Sequence, residues 1–316
     1  MVGIKIVEPH AEIITPRFWP DWKQGSLRMI EECGRVSHKS EGRIKADSAE
    51  PFIDKVALGM GHESIIEHAN FTVCFVGSRS MSHQLVRHRL AAYTQASQRY
   101  CDYSSEKKFN DILQVIMPPT ILGSKILWGK TVTVNGDNLV ISGNDGKDAP
   151  LLSYLSERFS DEWARGGYDW CHDQIRSYQS YRRERVRGVP SEDARSHLTN
   201  ACKTEVYTTY NLRTWRHVLE IRTDSHAQWE IRMIMNQALD FFMEHVPFMF
   251  DDIGKRVTFR PKELRVLQDL FNSCYIQLSG KSHKDLGLSK TEFKTLEKKI
   301  SKAVVAAGEC RWPGPF

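Results

Sequence analysis

Apolar positions change period several times along the chain, and each change marks an element. Ile4 to Ile14 contains alternating apolar and polar residues and predicts a strand. Asp21 to Cys33 has helical spacing, and Pro51 to Met60 sets Phe52, Val56 and Leu58 at mixed helical spacing before a turn at Gly61-His62. Asn70 to Val76, reading NFTVCFV, is β-branched and aromatic and predicts a strand. Ser80 to Leu90 predicts a helix that places Gln84, Arg87 and His88 on adjoining parts of one face. The next ten residues read as loop, where backbone N–H groups stay free for a ligand.

Further on, Thr131-Val132-Thr133-Val134 and Leu139-Val140-Ile141-Ser142 flank Asn135-Gly136-Asp137-Asn138 and predict a hairpin. Within 118–150 this reads as a surface hairpin or subunit contact rather than a catalytic lid. Leu151 to Arg187 is mainly helical, with Arg176, Arg182, Arg183, Arg185 and Arg187 near its end. Gly188-Val189-Pro190 breaks it, and Ser191 can cap the helix that carries Arg195. Trp215 to His245 has long helical periodicity with a break near Thr223-Asp224-Ser225. Arg260 to Leu278 and Ser289 to Val304 predict two more helices, the second opened by a Ser289/Glu292 capping box.

With 41% hydrophobic and 26% charged residues among 316, the chain reads as globular, with room for one large domain or two. No run approaches the ~18 apolar residues that span a bilayer. The opening MVGIKIVEPHAEIITP lacks a basic stretch followed by an apolar core, so a soluble cytoplasmic protein is expected. Cys33, Cys74, Cys101, Cys171, Cys202, Cys274 and Cys310 form no Cys-x-x-Cys pair and read as reduced thiols. A net charge of +5 admits nucleotides, folate or nucleic acid without choosing among them.

Candidate chemistry concentrates in Gln84 to Tyr100, QLVRHRLAAYTQASQRY. Arg87, His88 and Arg89 lie side by side, and Arg99 follows a polar stretch containing Thr94, Gln95 and Ser97. Unpaired guanidinium groups are costly to bury, whereas their planar fork of donors suits phosphate and carboxylate. No Gly-x-Gly-x-x-Gly follows a strand, so the Rossmann route to a dinucleotide is absent. His62-Glu63 is no zinc-protease motif, because Ile66 stands where a second histidine is required.

The spacing Arg-His-Arg, seven residues, Ser, then Arg-Tyr resembles the signature of the flavin-dependent thymidylate synthases. Gly61-His62-Glu63-Ser64 and Glu67-His68 upstream agree with it, as do Gly188-Val189-Pro190, Glu192 and Arg195 downstream. Asn211 to Arg232 resembles the family's second signature, and the likeness spans roughly residues 30–117 and 160–245. It implies an α+β fold, a central mixed or antiparallel sheet flanked by helices. Residues 1–247 would be the catalytic domain, 118–150 an insertion and 248–316 a helical C-terminal extension.

The resemblance implies conversion of dUMP, 5,10-methylenetetrahydrofolate and NADPH to dTMP, tetrahydrofolate and NADP, with FAD as cofactor, in a homotetramer with shared active sites. It assigns catalysis to Arg222, whose fixed charge would polarise the pyrimidine without a cysteine adduct. Gln84, Arg87, Gln95, Ala96, Ser97, Arg99 and Arg195 would join Arg222 in binding dUMP. FAD would meet Ser37, Ser64, Glu67, Arg87, His88, Arg89 and Gln95 in the first half of the chain. In the second half it would meet Asn211, Arg213, His217 and His226, with His62 near flavin and folate. Gln95 stands where many relatives have glutamate, Ala92 where serine is frequent, and His217 where some have asparagine. Two rivals remain open: a pyrimidine C5-hydroxymethylase on the same scaffold, and a nucleic-acid-binding protein using Arg176 to Arg187.

Overall fold

Alternation in the N-terminal segment is present, but it serves two sheets. In the computed structural model, which describes residues 2–142 and 148–253, β1 (Gly3–Ile6) and β2 (His10–Ile13) are separate strands. Pro9 lies between them, where its fixed φ and missing N–H interrupt a ladder. Helices α1 (Thr15–Phe18), α2 (Trp22–Val36) and α3 (Ala49–Ile53) follow, and a π-helical turn at Asp54–Gly59 accounts for the mixed spacing there. Next come β3 (Asn70–Ser78), α4 (Arg79–Leu85), β4 (Ala92–Gln95), α5 (Glu106–Phe109), β5 (Ile112–Val115) and α6 (Pro119–Leu122). The predicted hairpin is β6 (Thr131–Asn135) and β7 (Asn138–Ser142), followed by β8 (Asp148–Pro150). Helices α7 (Leu151–Ser156), α8 (Asp161–Val186) and α9 (Ser191–Ala194) lead to β9 (Lys203–Asn211), α10 (Leu212–Thr223) and α11 (Trp229–His245).

The α+β expectation holds, with the strands divided between two sheets. One is mixed, in the order β5-β1-β6-β7-β8; the other is antiparallel, in the order β2-β3-β9-β4. The longest ladder runs from Asn70↔Asn211 to Ser78↔Lys203 and aligns β3 with β9. A cluster of Trp22, Phe71, Trp215 and Phe242 fills the space between the antiparallel sheet and α2, α10 and α11. Trp215 donates its indole N–H to the Phe71 carbonyl at 2.9 Å, so burying the ring leaves no polar atom unpaired.

Three expectations change. The hairpin is no surface appendage: β6 pairs with β1, and Val132, Leu139 and Ile141 are buried in the second core with α7 and α8. Its alternation gives it one fully apolar face, and that face needs a partner. The helix expected over Ser80–Leu90 ends at Leu85, and the loop expected after it contains β4, whose backbone groups pair with β9. Pro190, not Ser191, occupies the N-cap of α9, and Arg195 follows in a tight turn, Arg195–His197.

Of the five arginines near the end of α8, three are tied to carboxylates, while Arg176 and Arg183 are exposed. Arg182 pairs with Asp111 at 2.6 Å, Arg185 with Asp102 at 2.8 Å and Arg187 with Glu184 at 2.9 Å. Arg185 bonds to Asp102 and holds its carboxyl well below the usual carboxylate range, against the opposing effect of burial. The first two pairs fasten the segment after Cys101 onto α8. The helices expected at Arg260–Leu278 and Ser289–Val304 lie outside the described residues.

Because Ile141 is only 2% exposed, Ile141→Ala should destabilise the protein by about 2–5 kcal/mol in chemical denaturation. A change under about 0.5 kcal/mol, usual for a surface strand, would mean the hairpin is peripheral after all.

Candidate active site

The turn after α4 carries the Arg-His-Arg triplet. Ser78 caps the helix by accepting from the Met81 amide at 3.0 Å, and buried Glu230 accepts from the Ser78 amide and hydroxyl at 2.5 and 2.6 Å. At the other end the winding tightens: the Arg87 and His88 amides donate to carbonyls only three residues back, those of Gln84 and Leu85. Leu90 then adopts φ +62°, a left-handed conformation rarely taken by leucine. Arg87 and Arg89 are left exposed, and no hydrogen bond or ion pair engages either side chain among the described residues. Gln84 sits half-buried one turn earlier.

His88 turns back toward the protein and meets Arg222, in the last turn of α10. The Arg222 Nε–H donates to His88 Nε2 at 2.9 Å, which places the imidazole proton on Nδ1. Burial, with the positive charge of Arg222 and then the His217 ring, lowers the His88 pKa to about 4. The ring is therefore a neutral acceptor at ordinary pH, and the pair's positive charge stays on the guanidinium.

Gln95 and its neighbours lie on β4 and just beyond. Gln95 Nε2 donates to Ser82 Oγ at 2.9 Å and Thr204 Oγ1 at 3.1 Å. The Ala96 amide donates to the Glu205 carbonyl at 3.0 Å, so it belongs to the sheet and not to the set of free donors expected for a phosphate. Ser97 Oγ accepts from the Arg99 amide at 3.2 Å. Arg99 Nε donates to a Glu192 carboxylate oxygen at 2.7 Å, and Arg195 Nε donates to the Glu192 backbone carbonyl at 2.9 Å. One residue, Glu192, thus brings two arginines distant in sequence to the same place.

A second gathering lies across α2, the Glu63–His68 turn and the start of α10. Ser37, His62 and Ser64 line a cleft of about 850 Å³ whose wall also includes Arg35, Lys39 and Arg43. That volume lies within the range of small-molecule sites, and its cationic wall suits a pyrophosphate. Arg35 is fixed there by bonds of 2.8 and 2.6 Å to buried Glu31, with its guanidinium 4.5 Å from the Phe52 ring centre. Arg213 pairs with Glu67 at 2.5 Å and Glu63 at 3.4 Å, and Asn211 caps α10 by accepting from the Thr214 amide. His217 shares a smaller cavity with Glu63, Arg213 and Arg216. His226 stands apart on the connection to α11, exposed and bonded to Asp224 at 2.7 Å.

The residues expected from sequence therefore fall into three groups within one chain: His88 with Arg222, Arg99 with Arg195, and the Ser37–His62–Ser64 cleft with the Arg213 strip. Arg87, Arg89 and His226 are brought to none of them by an internal contact. Sequence reasoning missed Tyr93, Tyr210, Ser82 and Thr204, which hold the first group and Gln95 in place. Their only signal was hydroxyl side chains at inward positions of α4, β4 and β9.

The family model described as thymidylate synthase complementing protein (Thy1) matches residues 21–248. A flavin-dependent thymidylate synthase of Pyrococcus furiosus is 31% identical over 234 residues, covering 74% of each chain. One from Thermococcus kodakarensis is 33% identical, covering 71% of this chain and 68% of its own. Crystal structures of the UMP/dUMP methylase PolB from Streptomyces cacaoi, bound with 5-Br UMP and 5-Br dUMP, match with TM-scores of 0.53 and 0.51. Both cover 78% of this chain at 18% identity, which speaks for the fold alone.

The depressed His88 pKa has a definite sign. Above its ordinary value near 6.5 neither the folded nor the unfolded chain binds the proton. Between there and about 4 only the unfolded chain does, so this group lowers stability as pH falls through that window. Urea denaturation across the window should show a steeper loss for the wild type than for His88→Gln. Equal slopes would remove His88 as the source.

Proposed function

The chain belongs to the thymidylate synthase complementing protein family, and on that premise we propose that it is a flavin-dependent thymidylate synthase, reductively methylating dUMP to dTMP. One observation carries this reading. Arg99, Arg195 and Arg222 are each anchored through Nε, and among the described residues no hydrogen bond or ion pair uses their terminal nitrogens. Arg182, Arg185 and Arg216, by contrast, spend terminal nitrogens on internal carboxylates. A guanidinium held from the side presents its outer fork, the edge that meets a planar anion in two parallel bonds.

Arg99 and Arg195, with the Ser97 hydroxyl, would take the nucleotide phosphate, and Gln84 and Arg87 would reach the nucleotide from the neighbouring turn. Arg222 would take the pyrimidine edge. Methylation at C5 needs electron density there, and a fixed cation at N3 and its flanking carbonyl supplies it by stabilising negative charge. Neutral His88 orients that cation without competing for it. A thiolate route finds no support in the buried cysteines, since burial pushes Cys74 and Cys202 up to about 11 and Cys171 up to about 12.

FAD, when bound, supplies the hydride that completes the methyl group. Ser37, Ser64 and the cationic wall of their cleft would hold it, with Glu67, Asn211, Arg213 and His217 alongside and His62 toward the folate. Carbon would come from 5,10-methylenetetrahydrofolate and electrons from NADPH. Arg87, Arg89 and His226 project from the chain, in keeping with a homotetramer whose sites are shared between copies. Residues 1–247 would form the catalytic unit, with the β6–β7 hairpin paired to β1 and Met249, Phe250 and Ile253 packed into the core that holds Trp215 and Phe242. No helix among the described residues is long and apolar enough to cross a membrane, and cytoplasmic placement agrees with the free cysteines Cys33, Cys74, Cys101, Cys171 and Cys202.

Purified protein incubated with dUMP, the folate donor and NADPH should yield a product heavier by one methyl group. A hydroxymethyl product in the mass spectrum would favour the rival C5-hydroxymethylase. Arg222→Ala should abolish turnover with flavin content retained, and wild-type turnover would remove it from the mechanism. Arg99→Ala should weaken dUMP binding about tenfold or more, as loss of a charge-assisted bond does; unchanged affinity in calorimetry would contradict its phosphate role. Cys101→Ser should stay active.

A further inference from the structure

Behind the Arg-His-Arg turn lie two tyrosines that line none of the clefts described above. The Tyr93 hydroxyl is 2.9 Å from the Leu85 carbonyl, 2.8 Å from the His88 carbonyl and 2.7 Å from the Tyr210 hydroxyl. It has one proton, so it donates to one carbonyl at a time, and the contact with Tyr210 is satisfied only if Tyr210 donates to Tyr93. Tyr210 is 1% exposed, and its ring packs edge-on against Tyr93 with centroids 6.0 Å apart.

We propose that Tyr93 and Tyr210 form a positioning clamp that fixes the α4–β4 turn and, through the His88 ring, the guanidinium of Arg222; this rests on the reading of Arg222 as the group that meets the pyrimidine. The geometry gives the clamp a task. The turn leaves its helix through two tightened bonds and passes through Leu90 at φ +62°, with the leucine side chain 84% exposed and buying no burial in return. Such a turn does not hold itself. When Tyr93 donates to the His88 carbonyl, the nearer of its two acceptors, His88 is held at both ends, with its ring bonded by Arg222, so a shift of the turn is passed directly to the guanidinium. Burial pushes both tyrosine hydroxyls upward in pKa, so they stay protonated and serve as fixed donors rather than as acids or bases.

Phenylalanine preserves the ring and removes only the hydroxyl. Tyr93→Phe and Tyr210→Phe should each fold, keep their flavin and lose about tenfold in kcat, the worth of one net hydrogen bond. KM for dUMP should move by about twofold at most, because the phosphate arginines are untouched. In an Arg222→Lys background the same changes should cost less than about twofold, since residues acting through one group do not add. The full loss persisting there would assign the tyrosines a merely structural role and overturn the clamp, as would wild-type kcat in both single variants. Nitrogen-15 spectra of the His88 ring provide a readout independent of turnover. The wild type should show the Nδ1–H tautomer and Tyr93→Phe a mixture, and an unchanged spectrum would overturn the clamp. If the wild type does not methylate dUMP at all, the functional reading fails by itself, and the ring spectra alone decide the clamp.

Discussion

Holding an arginine by its Nε is the constraint on which the candidate site depends. A guanidinium has five N–H donors in one plane, and which edge the protein occupies decides which edge a ligand can use. At Arg99, Arg195 and Arg222 the occupied edge is the inner one. The partners differ in kind: a carboxylate, a backbone carbonyl and a neutral imidazole. Only the first carries a charge that a bound phosphate would compete with. The imidazole leaves the Arg222 charge undiluted, which suits the role proposed for it, stabilising negative charge on the pyrimidine ring.

The scaffold explains how those anchors reach their positions. Nine consecutive pairs align β3 with β9, from Asn70↔Asn211 to Ser78↔Lys203. The same ladder launches α4 from one end and α10 from the other, because Ser78 caps the first helix and Asn211 caps the second. β4 then pairs with β9 from Ala92↔Thr209 to Gln95↔Val206 and returns the chain alongside. With both helices and the return strand indexed to one ladder, His88 and Arg222 meet although 134 residues separate them.

Charge elsewhere in the molecule is used differently. Arg182, Arg185 and Arg187 close onto Asp111, Asp102 and Glu184, and Arg216 closes onto Asp252 and the Met249 carbonyl. These pairs hold segments together and take three of the five arginines of the stretch as internal partners, which weakens its nucleic-acid reading. A positive total charge therefore says less about partners than the way each guanidinium is tied.

Local pattern was enough to locate most of the elements: the β3 strand from its β-branched and aromatic run, the β6–β7 hairpin from its Asn-Gly-Asp-Asn turn, and the break between α10 and α11 near Thr223-Asp224-Ser225. The spacing of Arg-His-Arg, serine and arginine was enough to name the family. Periodicity is a property of neighbours in the chain, and it could not show that Ile4 to Ile14 divides between two sheets or that the hairpin pairs with β1. Nor could it show that the α4 helix stops at Leu85, where the competing bonds come from Tyr93. Which edge of each guanidinium is free, and that two tyrosines stand behind His88, were decided by tertiary contacts alone, because hydrogen-bond geometry depends on atoms that only folding brings together.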